Sequence, residues 1–453
     1  MKIKLNRPAV LGCAVAGVFV TTSVAAAQTP RVIFSGIAGD ATNVAPGVTD
    51  AGFNDSTGSQ TTFDRPFASP DGSWIGFVGD LEVTGTFFDE VVVAYQVGNP
   101  TGGVSVREGF DVPGGPTGRL SVAFDQRVTL LNDGTFGFTS NTRNGSTTTG
   151  EDYFFRYNGT AVDVVAQEGT VVNDGTLTIG IDSPYLASTG AAGYSSYVSE
   201  ADVNEQARVI FDGATVAAAG NTPPGAPQPT VVFEFQSTHF GNNGQSYLTQ
   251  ARSFPPNRTV DTTIVNGNVV LVGGTQVPNS GFASVMPDTG PTFAAMNEAG
   301  TWFARGSNVD GFEWTLLNGD VLAAEGDSVA AGSSLTWSEF DGITVDNNDN
   351  VVLIGLASDG LQHAVFNGTD ILASTGDGVD LDGNGLLDDN LFIRDFSVDD
   401  AVLSTAGEFV FAARLQDAAG SPMGQALLSV SVPEPATAGL LMLGGLLGLR
   451  RRR

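Results

Sequence analysis

The hydrophobic positions of this chain recur in the rhythm of β-strands along most of its length. Short runs rich in Val, Ile, Phe and Thr are separated by turns such as Asn158-Gly159 and Asn367-Gly368, which are typical of hairpins. Between the two ends of the chain, no stretch of sequence sustains the period of an amphipathic helix. The pattern therefore predicts an all-β body.

Two short patterns alternate along this body. The first is a turn with glycine or asparagine that leads directly into an aromatic or branched strand, and its copies lie at Gly72, Gly134, Gly193, Gly244, Gly300, Asn350 and Gly407. The second is a strand that ends in a small or acidic residue and glycine, at Gly39, Gly109, Gly169, Gly220, Gly274, Gly326 and Gly376. Radial repetition of such units leaves few open sheet edges. The repeats therefore predict a β-propeller of about seven blades.

The two ends of the body fit one unit. Residues 31–34 match the strand that precedes the second pattern, and residues 426–430 complete the same unit from the other side. The first and last segments are therefore predicted to share one blade. The alternative is a pair of β-sandwich domains divided at the proline-rich residues 223–229. That segment ranks lower because Pro113 and Pro278 also follow second-pattern glycines by about four residues.

A secretory signal peptide is predicted at the N-terminus. The first residues include the basic Lys2, Lys4 and Arg7, an apolar run follows at residues 9–20, and small residues precede the cleavage site at Ala27. This order is typical of a leader that is removed during export. We expect residues 1–27 to be removed, with cleavage between Ala27 and Gln28.

A second apolar run lies near the C-terminus, at residues 436–449, and four arginines follow it. Its 14 residues are fewer than the roughly 20 that a helix needs to cross hydrocarbon unaided. Arginines directly after an apolar helix hold that end on the cytoplasmic side. The run predicts a short transmembrane helix with the body on the outer side.

The order of the tail carries a resemblance. Pro433, Glu434 and Pro435 stand directly before the apolar run and its basic end. This layout over residues 432–453 resembles the PEP-CTERM sorting signal. The resemblance implies processing by an exosortase-type protease in a Gram-negative bacterium that makes exopolysaccharide. It also implies that the body, residues 28–431, reaches the cell surface or extracellular matrix and is held at the membrane until the tail is processed.

The repeats themselves resemble the tandem NxxGxxAF repeats of bacterial surface proteins that carry interchangeable C-terminal anchors. Residues 297–300, Asn-Glu-Ala-Gly, fit the first half of that repeat, and residues 407–411 fit its second half. This resemblance implies a surface location and names no activity.

Charge and cysteine content exclude several kinds of partner and chemistry. Residues 28–432 contain 13 basic residues, all arginine, and 48 acidic residues, so their formal charge is 13 minus 48, or −35. Such a body repels nucleic acid and anionic headgroups. Cys13, inside the signal peptide, is the single cysteine, so the body has neither disulfides nor thiol chemistry.

One segment has the oxygen spacing of a calcium loop. Residues 380–389 read Asp-Leu-Asp-Gly-Asn-Gly-Leu-Leu-Asp-Asp, with oxygen donors at positions 1, 3, 5 and 9, glycine at 6 and a backbone carbonyl at 7. The candidate ligands are Asp380, Asp382, Asn384, the carbonyl of Leu386, and Asp388. Leu391 stands where an EF-hand has its bidentate glutamate, so a weaker single-loop site is predicted. The alternative is a solvated acidic turn.

Residues suited to catalysis are sparse. His239 and His363 are the only histidines, and neither is predicted to have the neighbouring partners that a Ser-His-Asp triad needs. Asp399, Asp400 and Glu90 adjoin apolar strands, and we interpret them as solvated strand ends rather than as the carboxylate pair of a glycosidase.

The four tryptophans divide into two groups. Trp74 and Trp302 occupy the same strand position in two units and are predicted to be core. Trp314 and Trp337 fall outside that position, which leaves open an exposed ring that stacks on a sugar.

These observations lead to one interpretation. We expect an exported, non-catalytic surface or matrix protein that associates with exopolysaccharide, with Ca²⁺ as its cofactor and an exosortase-type protease as its processing partner. Nucleic acid is not an expected partner. The alternatives are a secreted glycan-active enzyme with a carboxylate pair, and an adhesin.

Overall fold

The computed structural model confirms the all-β prediction. It describes residues 29–54, 62–82, 89–109, 119–120, 128–144, 147–171, 180–196, 207–220, 223–224, 231–254 and 259–433. In these ranges the chain forms strands in seven sheets, and the one helical element is the 3₁₀ turn Asn242–Gly244. The predicted cleavage site at Ala27 and Gln28, and the tail from Glu434 and Pro435 through the apolar run 436–449, lie outside the described residues.

The sheets are the blades of a propeller, numbered here in chain order. Blade I contains β2 (Gly52–Phe53), β3 (Phe63–Ala68), β4 (Trp74–Glu82), β5 (Asp89–Gln96) and β6 (Asn99–Arg107), and blade II contains β7 (Arg119–Leu120), β8 (Val128–Leu130), β9 (Phe136–Asn144), β10 (Thr147–Tyr157) and β11 (Val162–Gln167). Blade III contains β12 (Asp182–Leu186), β13 (Ala192–Ser196), β14 (Arg208–Phe211) and β15 (Ala214–Ala218), and blade IV contains β16 (Val231–Gly241), β17 (Ser246–Phe254), β18 (Val260–Val265) and β19 (Asn268–Val272). Blade V contains β20 (Phe293–Met296), β21 (Trp302–Ser307), β22 (Glu313–Leu317) and β23 (Asp320–Ala324), and blade VI contains β24 (Trp337–Val345), β25 (Val351–Ala357), β26 (Gln362–Phe366) and β27 (Asp370–Ser374). Blade VII contains β28 (Leu391–Leu403), β29 (Glu408–Asp417), β30 (Pro422–Ser431) and, from the start of the body, β1 (Arg31–Ser35).

Blade VII closes the ring. Its strand order is β1-β30-β29-β28, so the first strand supplies the outermost position and the last three strands supply the rest. β1 runs antiparallel to β30, with Arg31 opposite Ser429 and Ser35 opposite Ala426. The prediction that both ends of the body share one blade is confirmed, and the two-sandwich alternative is wrong.

Hydrophobic packing lies between the blades. In the described part of the chain, seven clusters of buried side chains each join two neighbouring blades. On β29, Phe409 and Phe411 pack toward blade VI, whereas Val410 and Ala412 pack toward blade I. Successive side chains of a strand point to opposite faces, so one strand serves two interfaces. This double burial explains nearly continuous apolar strands such as β25.

The second sequence pattern marks the exit from the outermost strand of each blade. All seven of its glycines have a left-handed φ, from 71° to 92°. The backbone N–H groups of Gly220, Gly326 and Gly376 donate to carbonyls on the innermost strand of the next blade, at 2.8, 2.9 and 2.8 Å. A left-handed residue therefore directs the chain from the edge of one blade to the axis of the next.

The first sequence pattern marks the turn between the innermost and second strands, which we call the inner turn. Blade III departs from the prediction, because its turn ends at Gly190 and the predicted Gly193 lies on β13. The seven inner turns are residues 69–72, 131–134, 187–190, 242–245, 297–300, 346–349 and 404–407, each closed by a backbone hydrogen bond between its first and last residues. Side chains connect successive turns around the axis through the pairs Asp71 N to Asn132 Oδ1, Ser188 Oγ to Asn243 Oδ1, Asn243 N to Glu298 Oε1, Thr301 Oγ1 to Asp349 Oδ1, and Ser404 Oγ to the Gly72 carbonyl. Polar residues recur in the turns because their side chains form hydrogen bonds between the turns of neighbouring blades.

Asn347 extends these contacts furthest. Its Nδ2 donates to the Pro70 carbonyl at 2.6 Å, and its Oδ1 accepts from the Ala299 N–H at 3.2 Å. One asparagine of blade VI therefore joins blades V and I, and the bonded inner turns form an open polar ring, from blade III round to blade II, at one end of the axis.

Replacing Gly72 with alanine tests the contribution of this ring to stability. Gly72 has φ of 73°, and a Cβ there would lie 2.5 Å from both Ala406 N and Ser404 Oγ of blade VII. Gly98 is the matched control, because it has φ of 80° and no atom within 4 Å of such a Cβ. We expect Gly98→Ala to lower the free energy of unfolding by about 1 kcal/mol through backbone strain. Gly72→Ala should lower it by roughly 2 kcal/mol more, because two blades must shift.

Urea denaturation measures both losses. Equal losses for the two variants would show that contacts between inner turns add nothing to stability.

Candidate functional site

The innermost strands of all seven blades line a cavity of about 300 Å³ on the propeller axis, which we call the axial channel. From blade I to blade VII, its lining includes Arg65, Leu130, Tyr185, His239, Met296, Val345 and Asp399. Because every repeat sends one strand to the axis, residues far apart in sequence meet here. The channel is therefore the first candidate site.

Bulges set the direction of side chains along the channel. The pairing between the innermost and second strands shifts register within β3, β12, β16, β24 and β28. Arg65, Ser183 and Asp399 lie at three of these bulges and have φ of 35°, 55° and 60°. Non-glycine residues with positive φ are uncommon and persist where the surrounding structure holds them. Bulges of this kind are frequent beside functional sites.

Asp399 is held by a buried arginine from another blade. Arg305 Nε donates to Asp399 Oδ1 at 3.0 Å, and Arg305 Nη2 donates to Asp399 Oδ2 at 2.7 Å. The Nη1 of Arg305 also donates to the Phe340 carbonyl at 3.0 Å. Arg305 is only 9% exposed, so this bidentate, charge-assisted pair lies in the protein interior. It joins blades V, VI and VII at the channel wall.

Asp400 is buried, and the interpretation of Asp399 and Asp400 as solvated strand ends is wrong. Asp400 is 6% exposed, and its Oδ1 accepts from the Arg65 N–H at 2.9 Å. Burial raises the pKa of Asp400 to about 7 against the effect of that hydrogen bond, and the charge of Asp64 adds to the rise. Burial also raises the pKa of Asp80, on β4, to about 7. The bulge between Phe396 and Ala401 places Asp400 inside the blade in the middle of β28.

The predicted calcium loop lies beside the strand that closes the ring. The Val32 N–H donates to the Asp380 carbonyl, and the Asp380 N–H donates to the Pro30 carbonyl, both at 2.9 Å. Carboxylate oxygens of Asp380, Asp382 and Asp389 lie within 4.8 Å of one another. An all-oxygen donor set of this kind fits calcium.

Side-chain oxygens of the loop accept hydrogen bonds from backbone N–H groups of the same loop. The Asp380 carboxylate accepts from the N–H groups of Gly383 and Gly385, both at 2.8 Å, whereas Asn384 Oδ1 accepts from the Leu386 N–H at 2.7 Å. The carboxylates that lie close together include two of the predicted ligands, Asp380 and Asp382. The third is Asp389, whereas the sequence spacing predicted Asp388. The ligand set remains a prediction.

His363 has partners that the sequence analysis missed. Its Nδ1 lies 2.8 Å from Ser374 Oγ, and its Nε2 lies 3.1 Å from Asp359 Oδ2. The prediction that it lacks a neighbouring titratable partner is wrong, because Asp359 precedes it by four residues across a tight turn. His363 is 4% exposed and lies outside the axial channel, whereas His239 lies in the channel wall.

The tryptophans are structural. Trp302 is 7% exposed, and Trp74 packs on the inner turn of blade II, where a Cβ on Gly134 would lie 2.8 Å from its ring. Trp314 and Trp337 are 0% and 2% exposed, so neither ring is available to stack on a sugar. The Trp314 indole N–H donates to Asn308 Oδ1 at 3.2 Å, which satisfies its single donor inside blade V.

The tail leaves the propeller next to the inner turn of blade VII. β30 ends at Ser431, and the Val432 N–H donates to the Gly407 carbonyl at 2.8 Å. Residues 431–453 match the PEP-CTERM protein-sorting motif. The chain ends in an exosortase sorting signal. The PEP-CTERM motif marks an exported protein of the cell envelope. Within the ranges given above, no helix is long and apolar enough to cross a membrane.

Several solved structures show some similarity to the chain. A protein of unknown function from Dyadobacter fermentans is 10% identical, with 89% of this chain and 98% of that chain covered and a TM-score of 0.33. Prolyl oligopeptidase B from Galerina marginata is 11% identical, with coverage of 83% and 48% and a TM-score of 0.38. The Aleuria aurantia lectin, in complex with Fucα1-6GlcNAc, is 14% identical, with coverage of 57% and 77% and a TM-score of 0.27. No curated protein sequence matches the chain.

The buried carboxyls predict that the protein is more stable at mildly acidic pH. The folded-state pKa of Asp400 and Asp80, about 7, exceeds the unfolded value of about 3.9, so the folded state binds more protons between these limits. The free energy of unfolding should therefore fall as pH rises from about 4 to about 7. Asp400→Asn should weaken this dependence and be more stable than the native protein at about pH 8.

Denaturation at a series of pH values measures the slope. The adjacent Asp399→Asn is the control with the opposite sign, because it removes the carboxylate that pairs with buried Arg305. An Asp400→Asn variant that is less stable than the native protein at about pH 8 would contradict the burial effect.

Proposed function

We propose that this protein is a non-catalytic component of the cell surface or extracellular matrix that binds exopolysaccharide. The PEP-CTERM motif at residues 431–453 carries the proposal, because it assigns the body to the envelope of the cell. The body itself supports a binding role. Its sheets are covered on both faces by neighbouring blades, and its conspicuous polar contacts link one blade to another. Such a rigid ring presents a fixed surface to a polymer.

The charge of the body favours a neutral or cation-bridged polymer. Residues 28–432 carry a formal charge of −35, from 13 basic and 48 acidic residues, so a strongly anionic chain is repelled unless divalent ions intervene. Contacts with a neutral polysaccharide are hydrogen bonds and apolar contacts, which salt screens little.

Co-sedimentation tests the binding role directly. The full chain, in a detergent without a sugar headgroup, is mixed with exopolysaccharide from the producing bacterium and centrifuged. We expect the protein to pellet with the polymer at about 0.15 M salt and still to do so at about 1 M salt, because screening removes only charge contacts. Protein that stays in the supernatant at both salt concentrations would contradict the proposal.

A secreted glycan hydrolase is the second candidate. Asp400 favours it, because burial raises its pKa to about 7, so part of this carboxyl beside the channel is protonated at neutral pH, as a general acid requires. Asp399, ion-paired with Arg305, supplies a carboxylate in the channel lining. New reducing ends during the same incubation, absent with Asp400→Asn, would favour the enzyme over the binding protein.

We also propose Ca²⁺ as a structural ion of the acidic loop. Asp380 is bonded to β1 through two backbone hydrogen bonds, so an ion held by Asp380, Asp382 and Asp389 would stabilise the strand that closes the ring. An ion that binds the folded state alone stabilises it by mass action, by about 2.7 kcal/mol at a concentration 100 times its Kd.

Calcium should therefore raise the Tm by several degrees over the value measured with a chelator. Asp389→Asn should remove most of this increase, because it deletes one charge from the converging group. Asp388→Asn is the matched control and should retain the increase. Thermal unfolding with and without calcium measures all three proteins. An unchanged Tm of the native protein would reject the ion, and loss of the increase in Asp388→Asn alone would restore the ligand set predicted from spacing.

A further inference from the structure

A second cavity, of about 180 Å³, lies between blade VII and blade I, where the ring closes. We call it the seam cavity. Its lining includes Arg31, Ile33, Ile75, Tyr95, Val97 and Glu408. The cavity is separate from the axial channel, since the two share none of their lining residues.

Tyr95, one of the residues that line this cavity, carries a buried hydroxyl without a hydrogen-bond partner in the described part of the chain. The residue is 2% exposed, and its Oη makes no hydrogen bond to any described residue. Buried tyrosine hydroxyls are normally hydrogen-bonded, so an unpaired one that lines a cavity marks a position for a ligand atom. Burial raises the pKa of Tyr95, and the ionic side chains of Glu408 and Arg31 line the same cavity.

Glu408 supplies a fixed acceptor. Its carboxylate accepts hydrogen bonds from the hydroxyls of Ser429 and Ser431, the second at 3.0 Å, and is 3.5 Å from Arg31 Nη2. The Glu408 side chain is 14% exposed, whereas Arg31 is 42% exposed and lies toward solvent. The two charges balance, so the cavity as a whole is neutral.

The remaining walls are apolar. Ile33 and Ile75 are 7% and 0% exposed, Val97 comes from the turn between β5 and β6, and Pro100 comes from the start of β6. The exposed Gly98 of that turn and the exposed Gly383 of the acidic loop also line the cavity. The site therefore combines an apolar surface with a hydroxyl, a carboxylate and a guanidinium.

This chemistry selects among ligand classes. Glu408 repels anions, Arg31 repels cations, and a wholly apolar ligand would leave the Tyr95 hydroxyl unpaired. The ring of a neutral sugar suits this cavity, because its hydroxyls can form hydrogen bonds with the polar groups and its C–H faces can pack against the apolar walls. We infer that the seam cavity binds one neutral sugar residue, with Tyr95 and Glu408 bonding its hydroxyls. The inference deepens the proposed function and rests on it to the extent that the sugar is a unit of the exopolysaccharide.

Titration calorimetry with neutral monosaccharides from the hydrolysed exopolysaccharide tests this inference on the full chain, in a detergent without a sugar headgroup. Tyr95→Phe removes only the unpaired hydroxyl, so the fold is preserved, and loss of one hydrogen bond should weaken binding about tenfold. Tyr153→Phe is the matched control, because Tyr153 is equally buried but accepts from Gln167 Nε2 in blade II. It should bind as the native protein does. A second variant, Val97→Trp, fills the cavity from its rim and should abolish binding.

The outcomes separate the two proposals. Binding that Tyr95→Phe weakens and Val97→Trp abolishes supports the seam site, even if the intact polymer fails to pellet the protein, in which case the matrix role is wrong. Sugar binding that neither variant changes would reject the seam site, and co-sedimentation with the polymer would then still keep the matrix role. Failure of every neutral sugar to bind at about 50 mM would leave ordered water as the occupant and overturn the inference.

Discussion

Pairing of β1 with β30 is the interaction on which the other parts of this structure depend. This short strand completes blade VII and places Val32 in one cluster between blades and Ile33 and Phe34 in the next. The same strand carries Arg31 into the seam cavity and bonds the acidic loop through Val32. Core, candidate ion site and candidate sugar site therefore share one element, and loss of its pairing would disturb all three together.

The ring arrangement explains why functional residues come from every part of the chain. Contacts within a blade are local in sequence. One strand of each repeat lies at the axis, however, and the seam cavity is lined by residues from both ends of the body. Arg305 and Asp399 are 94 positions apart and still form a bidentate pair. Pairs of this kind hold the blades in register around the axis, in addition to the nonpolar packing between them.

The fold was predictable because each blade contains the same two turns, and both turns favour glycine or asparagine, so these residues recur at regular intervals in the sequence. The acidic loop was visible for a similar reason, since its spacing is local. Other parts of the candidate sites were not predictable. The burial of Asp400 depends on a bulge in β28 that no residue pattern marks, and the convergence of Asp389 with Asp380 and Asp382 is a property of the folded loop that residue spacing does not give. The seam cavity exists only when distant ends meet, so the unpaired hydroxyl of Tyr95 has no local sequence signal.

Closure by the first strand also determines the order of folding during export. Arg31 and Ser429 pair although they are 429 minus 31, or 398, positions apart in the sequence. A chain that emerges from a translocation pore N-terminus first must hold β1 unpaired until β30 has passed through. Each blade meanwhile exposes one apolar face until its neighbour arrives. The ring of an exported chain can therefore close only after β30, the strand directly before the sorting motif, has become available to β1.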